Sequence, residues 1–322
     1  MNISAKYSYI NGLFSKGDVN SEFDFIVPGF VDIHCHGGGG YYFSENAPVA
    51  RNLHVKSGTT TQIASLVTQE ISTLISQIEY LKNQDVFGVH LEGPYLSKNF
   101  CGAHDPALLK PPTIKEISAL LDAGEGKVKM FTIAPELEGA LASIEYLVNK
   151  GIIVAIGHSA ANSRQAIQAI KAGATVVTHF NNGMAKMGAI DSLSKAALES
   201  NLFLELIQDG HHVSKSDSLT VISKAPNRIV AVTDAMSAAG CGDGDYQIGD
   251  LAVTVKNSVA RLSSNGSLAG STLTMLDAFL NFVNLAGFEQ AVRYTSINPA
   301  MVLGVNPYSN YIAIKDRQVV IL

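Results

Sequence analysis

Two histidines one residue apart, His34 and His36, close the apolar run in VPGFVDIHCHGGGG (residues 27–40), and four glycines follow them. Along an extended strand, residues i and i+2 share a face, so both imidazoles point one way and Cys35 the other. A pair at this spacing can grip one metal ion. One His-X-His among nine histidines is a weak signal by itself, so partners elsewhere must decide it. The glycines at 37–40 either expose backbone N–H groups to an anion or allow a tight turn.

Partners are present at the ends of other apolar runs. Glu92 ends VFGVHLE (86–92), His158 ends IIVAIGH (152–158), His179 lies in ATVVTHF (174–180) and Asp234 ends RIVAVTD (228–234). Taken singly, each is most simply a hydrogen-bonded core histidine or a carboxylate capping the next helix. Gathered at one mouth, they would leave several buried ionisable groups uncompensated, at several kcal/mol each, unless cations pair with them. The loops after these runs carry further polar groups: His104 in EGPYLSKNFCGAHD, Asn181 and Asn182 in HFNNGM, His211 and His212 in DGHHVS.

The elements that must position these residues are β-rich runs separated by helical patterns. To the four runs just named the sequence adds GFVDIH (29–34), TTTQIASLV (59–67), KMFTIA (129–134) and LFLELIQD (202–209), eight in all. Between them lie segments such as EISTLISQIEYLKN and SRQAIQAIKAG, with apolar residues at i, i+3 and i+4. Eight β-then-α units imply a parallel (β/α)8 TIM barrel of the α/β class over residues 28–305, with its chemistry where strands finish. Residues 1–27 and 306–322 are expected to form a small flanking β subdomain. The alternating stretch DYQIGDLAVTVKNSVARL (245–262) reads as an inserted hairpin that could join it.

Composition narrows the function class. Apolar residues make up 47% and charged residues 16%, below the roughly 25% charged usage of soluble domains, which suits a large interior. A net charge of −5 without a basic run excludes the electrostatic footprint of a nucleic-acid binder. No window of 18 apolar residues appears, and MNISAKYSYINGLFSKGDV lacks an apolar signal core, so a soluble, cytoplasmic protein without membrane partners is expected. Cys35, Cys101 and Cys241 are odd in number, widely spaced and free of C-x-x-C, which suits a reducing compartment.

Eight motifs occur in the order VPGFVDIHCHG, GVHLEGPYL, GHSAA, THFNNGM, DGHHV, VTDAM, GSLAGSTLTM and NPAMVLG, from about residue 27 to 304. Together they resemble the N-acetylglucosamine-6-phosphate deacetylase family of the amidohydrolase superfamily. The resemblance implies a TIM barrel with a small β-sandwich, reduced here because both termini are short. It implies one or two divalent ions, zinc first, with iron, manganese or cobalt as alternatives. Glu92, His158 and His179 would be metal ligands and Asp234 a ligand and the general acid/base. His34 and His36 would complete a two-metal site bridged by Glu92. Substrate contacts would come from His104 with Ala103, from Asn181, Asn182 and Gly183, from His212 and from Ala269. A homodimer is expected.

The reaction implied is hydrolysis of the acetamide of N-acetylglucosamine 6-phosphate by metal-activated water, with Asp234 moving the proton and His212 or a second metal stabilising the oxyanion. Family members usually carry an R-E-P-G arginine for the sugar phosphate. The present chain runs NNGMAKMGAIDSLSKAA, leaving Lys186 as a point charge without the arginine fork. An unphosphorylated N-acetyl amino sugar, another N-acyl or cyclic amide, and a non-catalytic sugar or metal binder on the same barrel stay open as alternatives.

Overall fold

In the computed structural model, which describes residues 4–322, eight parallel strands form one sheet in sequence order. They are Phe30–Asp32, Thr59–Val67, Gly88–Glu92, Val128–Ile133, Ile153–Ile156, Val176–Val177, Phe203–Leu206 and Ile229–Ala231. The first and eighth meet through a buried carboxylate: Asp32 accepts from the Thr233 hydroxyl at 2.6 Å and from the Thr233 N–H at 3.3 Å. Just above, the Asp234 N–H donates to the His34 carbonyl at 2.8 Å, which closes the barrel. Ile63, Leu91, Phe131, Val154, Val177, Leu204 and Val230 are fully buried or nearly so. Burial on both faces explains why these strands read as continuous apolar runs.

The helices begin where a side chain can take up a free N–H. Thr113, Asn162, Ser192, Ser214 and Thr274 each accept from the backbone three residues on. Each helix then lays an apolar stripe on the barrel, as Leu74, Ile78 and Leu81 do in the helix Ile71–Leu81. The first helix, Phe43–Lys56, breaks regularity at Asn46, ahead of Pro48, and buries His54. The His54 Nε2–H donates to the Gly37 carbonyl at 2.9 Å, tying this helix to the glycine turn after His36.

Several barrel strands are shorter than the apolar runs suggest. Only Val176–Val177 of the run 174–180 is regular strand, and the eighth strand stops at Ala231. The runs break because His158, His179 and Asp234 adopt φ of 45°, 25° and 48°, a left-handed region that cannot continue a strand. His158, His179 and Asp234 therefore lie on kinks just beyond their strands, His34 and His36 follow the end of the first strand at Asp32, and Glu92 ends its strand in register.

Both ends of the chain build one five-stranded sheet, in the order Gln318–Ile321, Tyr311–Lys315, Phe23–Pro28, Ala5–Ile10, Leu13–Lys16. It docks on the barrel through aromatic contacts: Phe25 lies edge-on to Phe279 at 5.4 Å and stacks on Phe288 at 5.6 Å. The stretch expected to be a hairpin at 245–262 is instead a three-stranded antiparallel meander, Gly244–Ile248, Leu251–Lys256 and Val259–Leu262, and among the described residues shares no ladder with the terminal sheet. Its inward side chains, Val253, Val255, Ala260 and Leu262, form a separate small core with Met236, Ala238 and Ala269. That placement sets the meander beside the barrel mouth, between the eighth strand and its helix Met275–Ala286.

Candidate metal centre

The six residues singled out at strand ends gather in one cluster, four histidines around the two oxygens of Glu92 and Asp234 beside two of them. Its Oε1 lies 3.1 Å from His158 Nε2 and 3.0 Å from His179 Nε2, which are 2.9 Å from each other. Its Oε2 lies 3.4 Å from His34 Nε2 and 3.2 Å from His36 Nε2, themselves 3.2 Å apart. Asp234 Oδ1 completes the second group, 3.2 Å from His36 Nε2 and 3.5 Å from His34 Nε2. One carboxylate thus stands between two histidine pairs. All six side chains are buried.

The surroundings determine which nitrogen of each ring faces inward. The Nδ1–H of His34 donates to Glu205 Oε2 at 2.9 Å, that of His36 to the Ser65 carbonyl at 3.1 Å, and that of His158 to the Phe100 carbonyl at 2.8 Å. Carbonyls and carboxylates only accept, so Nδ1 carries a hydrogen in each of these rings, and in the neutral form Nε2 turns a bare lone pair toward its neighbours and toward Glu92. Lone pairs facing at about 3 Å repel unless a cation or a proton sits among them. Divalent cations held by imidazole and carboxylate donors fit this arrangement. A proton is the alternative: burial opposes charge on His36, yet Asp234 and Glu92 outweigh it and raise this imidazole to about 9. Burial likewise works against the Glu92 carboxylate, and His34, His104, His158 and His179 reverse this and hold it well below its ordinary value.

His104 differs from the others. Its Nδ1 lies 3.3 Å from the Thr68 backbone N–H, from which it accepts, so its Nε2 carries the proton. That N–H lies 3.4 Å from Glu92 Oε2. Burial pushes the imidazole down to about 4, against the pull of Glu92. His212 has the opposite arrangement: its Nδ1–H donates to Asp209 Oδ2 at 2.6 Å, leaving Nε2 as an acceptor in the neutral ring.

A cavity of about 470 Å³ opens above this cluster, lined by His36, Glu92, His158, His179 and Asp234 together with Ala103, His104, Asn182, Gly183, Lys186 and His212. Asn99, Asn265 and Ser267 add neutral polar groups. Two expected substrate residues do not line it. Asn181 turns its amide oxygen to the Met187 N–H at 2.7 Å and so shapes the loop, while Ala269 is buried in the small core under the meander and leaves Leu268 and Gly270 at the cavity. His211 is exposed. Among the described residues Lys186 is the one lysine or arginine in the lining; it is exposed, donates to the Asn181 carbonyl, and partial desolvation lowers its pKa.

The amidohydrolase family model matches residues 25–316, most of the chain. The chain belongs to the amidohydrolase family. An N-acetylgalactosamine-6-phosphate deacetylase of Escherichia coli O157:H7 is 33% identical over 88% of this chain and 79% of its own length. An N-acetylglucosamine-6-phosphate deacetylase of Vibrio furnissii is 32% identical, covering 87% of this chain and 74% of that one. Among solved structures, a variant of the Mycobacterium smegmatis N-acetyl-D-glucosamine-6-phosphate deacetylase, in complex with N-acetyl-D-glucosamine-6-phosphate, matches with a TM-score of 0.92 at 35% identity. That match covers 99% of this chain and 96% of the other.

Several functional groups of this amidohydrolase escape a reading of the sequence. Glu205, Ser65, Thr68 and Asp209 each hold a site histidine by its outward nitrogen. Glu205 alone carried a signal, as a charged residue inside the apolar run LFLELIQD. His90, fully buried beneath the cluster, bonds the hydroxyls of Ser65 and Thr132 at 3.0 and 2.8 Å. Among the described residues, no helix is long and apolar enough to cross a membrane.

Proposed function

We propose that this amidohydrolase removes the acetyl group from N-acetylglucosamine 6-phosphate, releasing acetate and glucosamine 6-phosphate. The observation that carries the reading is the Glu92 carboxylate shared between two histidine pairs, with Asp234 beside one pair at the floor of a sugar-sized cavity. His34, His36 and Asp234 would hold one divalent ion, His158 and His179 another, and Glu92 both. Zinc is the proposed metal, and a homodimer the proposed assembly. When bound, such an ion supplies Lewis acidity toward the amide carbonyl and toward water.

The chain's own residues supply the rest. Water oxygen adds to the acetamide carbon while Asp234 takes the proton; Asp234 then delivers it to the amine nitrogen as the C–N bond breaks, because an amine is too basic to leave unprotonated. His104, with its proton on Nε2, can donate to the carbonyl oxygen as negative charge grows there. His212 presents an acceptor suited to a sugar hydroxyl, so the oxyanion role first given to it passes to His104. Lys186 is the cation available to a 6-phosphate.

The test is acetate release by metal-replete enzyme from N-acetylglucosamine 6-phosphate, its C4 epimer N-acetylgalactosamine 6-phosphate, and N-acetylglucosamine. The expected order of kcat/KM places the first substrate highest; acetate from none of them ends the proposal. Asp234→Asn should lower kcat by about 100- to 10,000-fold, the range for losing a positioned acid/base. A variant with unchanged kcat removes Asp234 from that role.

A further inference from the structure

One buried oxygen reaches both halves of the site. Glu205, on the seventh barrel strand Phe203–Leu206, is 0% exposed. Its Oε2 accepts the His34 Nδ1–H at 2.9 Å and the His179 backbone N–H, also at 2.9 Å. Its backbone carbonyl accepts from the Phe180 N–H at 2.7 Å. Its Oε1 is buried without a partner among the described residues. An unpartnered buried carboxylate oxygen is costly, and a residue kept at that cost in an apolar strand needs a reason.

We propose that Glu205 is a positioning residue shared by the two halves of the metal site. Toward the His34–His36 half, it holds the proton on His34 Nδ1 and so keeps Nε2 bare and aimed at Glu92 and Asp234. Toward the His158–His179 half, it clamps the peptide on which His179 turns to φ 25°, the backbone kink that aims this imidazole at Glu92 Oε1. Its negative charge lies behind both groups, where it favours cations at either. Glu205 touches neither the cavity nor a reacting atom. This inference rests on the metal-dependent reading of the site.

The test is metal affinity rather than turnover. Apo enzyme is titrated with Zn2+ against a chromophoric chelator, and with Co2+ while its visible spectrum is recorded, for wild type, Glu205→Gln and Glu205→Leu. Glutamine keeps an oxygen able to accept both N–H groups, removes the charge and places an NH2 group where the unpartnered Oε1 lies; leucine removes both bonds. Affinity should fall about 10-fold in the glutamine variant and about 100-fold or more in the leucine variant, at every site the wild type fills, in line with losses seen for outer partners of metal ligands. The Co2+ spectrum should change only for leucine. At saturating metal, kcat of the glutamine variant should return to within a few-fold of wild type with KM unchanged. Wild-type affinity in the glutamine variant, or a loss confined to one of two ions, overturns the shared role. A wild type that binds neither metal overturns the reading of the site itself.

Discussion

Gly157 precedes His158, and the space beside it is already taken. A Cβ built there would lie 2.6 Å from Thr178 Cβ, 3.1 Å from Thr178 Oγ1 and 3.5 Å from Thr132 Cγ2. Ordinary carbon contacts fall at about 3.5–4.0 Å, so Gly157→Ala must part the fifth and sixth strands by about 1 Å. Neither threonine can swing away freely, because their hydroxyls bond each other at 2.8 Å and Thr132 also bonds His90 at 2.8 Å. Overpacking of this kind costs about 1–3 kcal/mol of stability. The functional cost should be larger. His158 and His179 lie directly beyond the parted backbone with Nε2 atoms 2.9 Å apart, and a misplacement of about 1 Å can lower activity roughly 100-fold. Metal content by mass spectrometry, the urea midpoint and kcat for acetate release measure the three effects. Gly242→Ala is the control, since its Cβ would meet nothing within 4 Å. A Gly157→Ala enzyme with wild-type metal content, urea midpoint and kcat would refute the reasoning.

Other outcomes follow from the same coordinates. Burial holds His54 at about 4, against about 6.5 in an unfolded chain. Below 6.5 the unfolded chain therefore takes up a proton that the folded one refuses, and stability falls as pH drops toward 4. From pH 7 to 5 the loss is about 2 kcal/mol; urea unfolding of the chelator-treated protein should show a pH slope shallower by that amount in His54→Asn, and equal slopes would contradict the assignment. Chelation of wild type should abolish acetate release and lower the melting temperature, both restored by added Zn2+ or Co2+; a chelated enzyme with full activity would remove the metal from the reaction. Lys186→Met should lower kcat/KM about 10- to 100-fold for the 6-phosphate substrate, the worth of one hydrogen bond to a charged group, and leave N-acetylglucosamine unaffected. An equal loss on both substrates would show that Lys186 does not read the phosphate.

The barrel was legible because parallel strands buried on both faces leave continuous apolar runs, and because imidazole and carboxylate stand out against them. His34, His36, Glu92, His158, His179 and Asp234 could be found by type and position alone. Strand lengths could not, since the left-handed kinks at His158, His179 and Asp234 are set by tertiary contacts rather than by local propensity. Asn181 shows the limit of motif reading: in the same turn Asn182 reaches the cavity, while Asn181 binds its own loop. Glu205 stood out as a charge in an apolar run but its task did not, and Thr68 gave no signal at all, because what they do depends on a ring nitrogen contributed from a distant strand or loop. The meander at 244–262 reads as strands in the sequence, yet nothing there says which sheet they join.

The order of synthesis places a demand on this architecture. His34 and Asp234, neighbours at the barrel seam, are separated by 200 residues, and Phe23–Pro28 pairs with Tyr311–Lys315 near the far end of the chain. At about 5–20 residues per second, His34 waits roughly 10–40 s on the ribosome before its aspartate exists. Until then the first barrel strand has no eighth strand to meet, so the six side chains can assemble only once Asp234 has been made, and the eighth strand acts as the latch that shuts the ring.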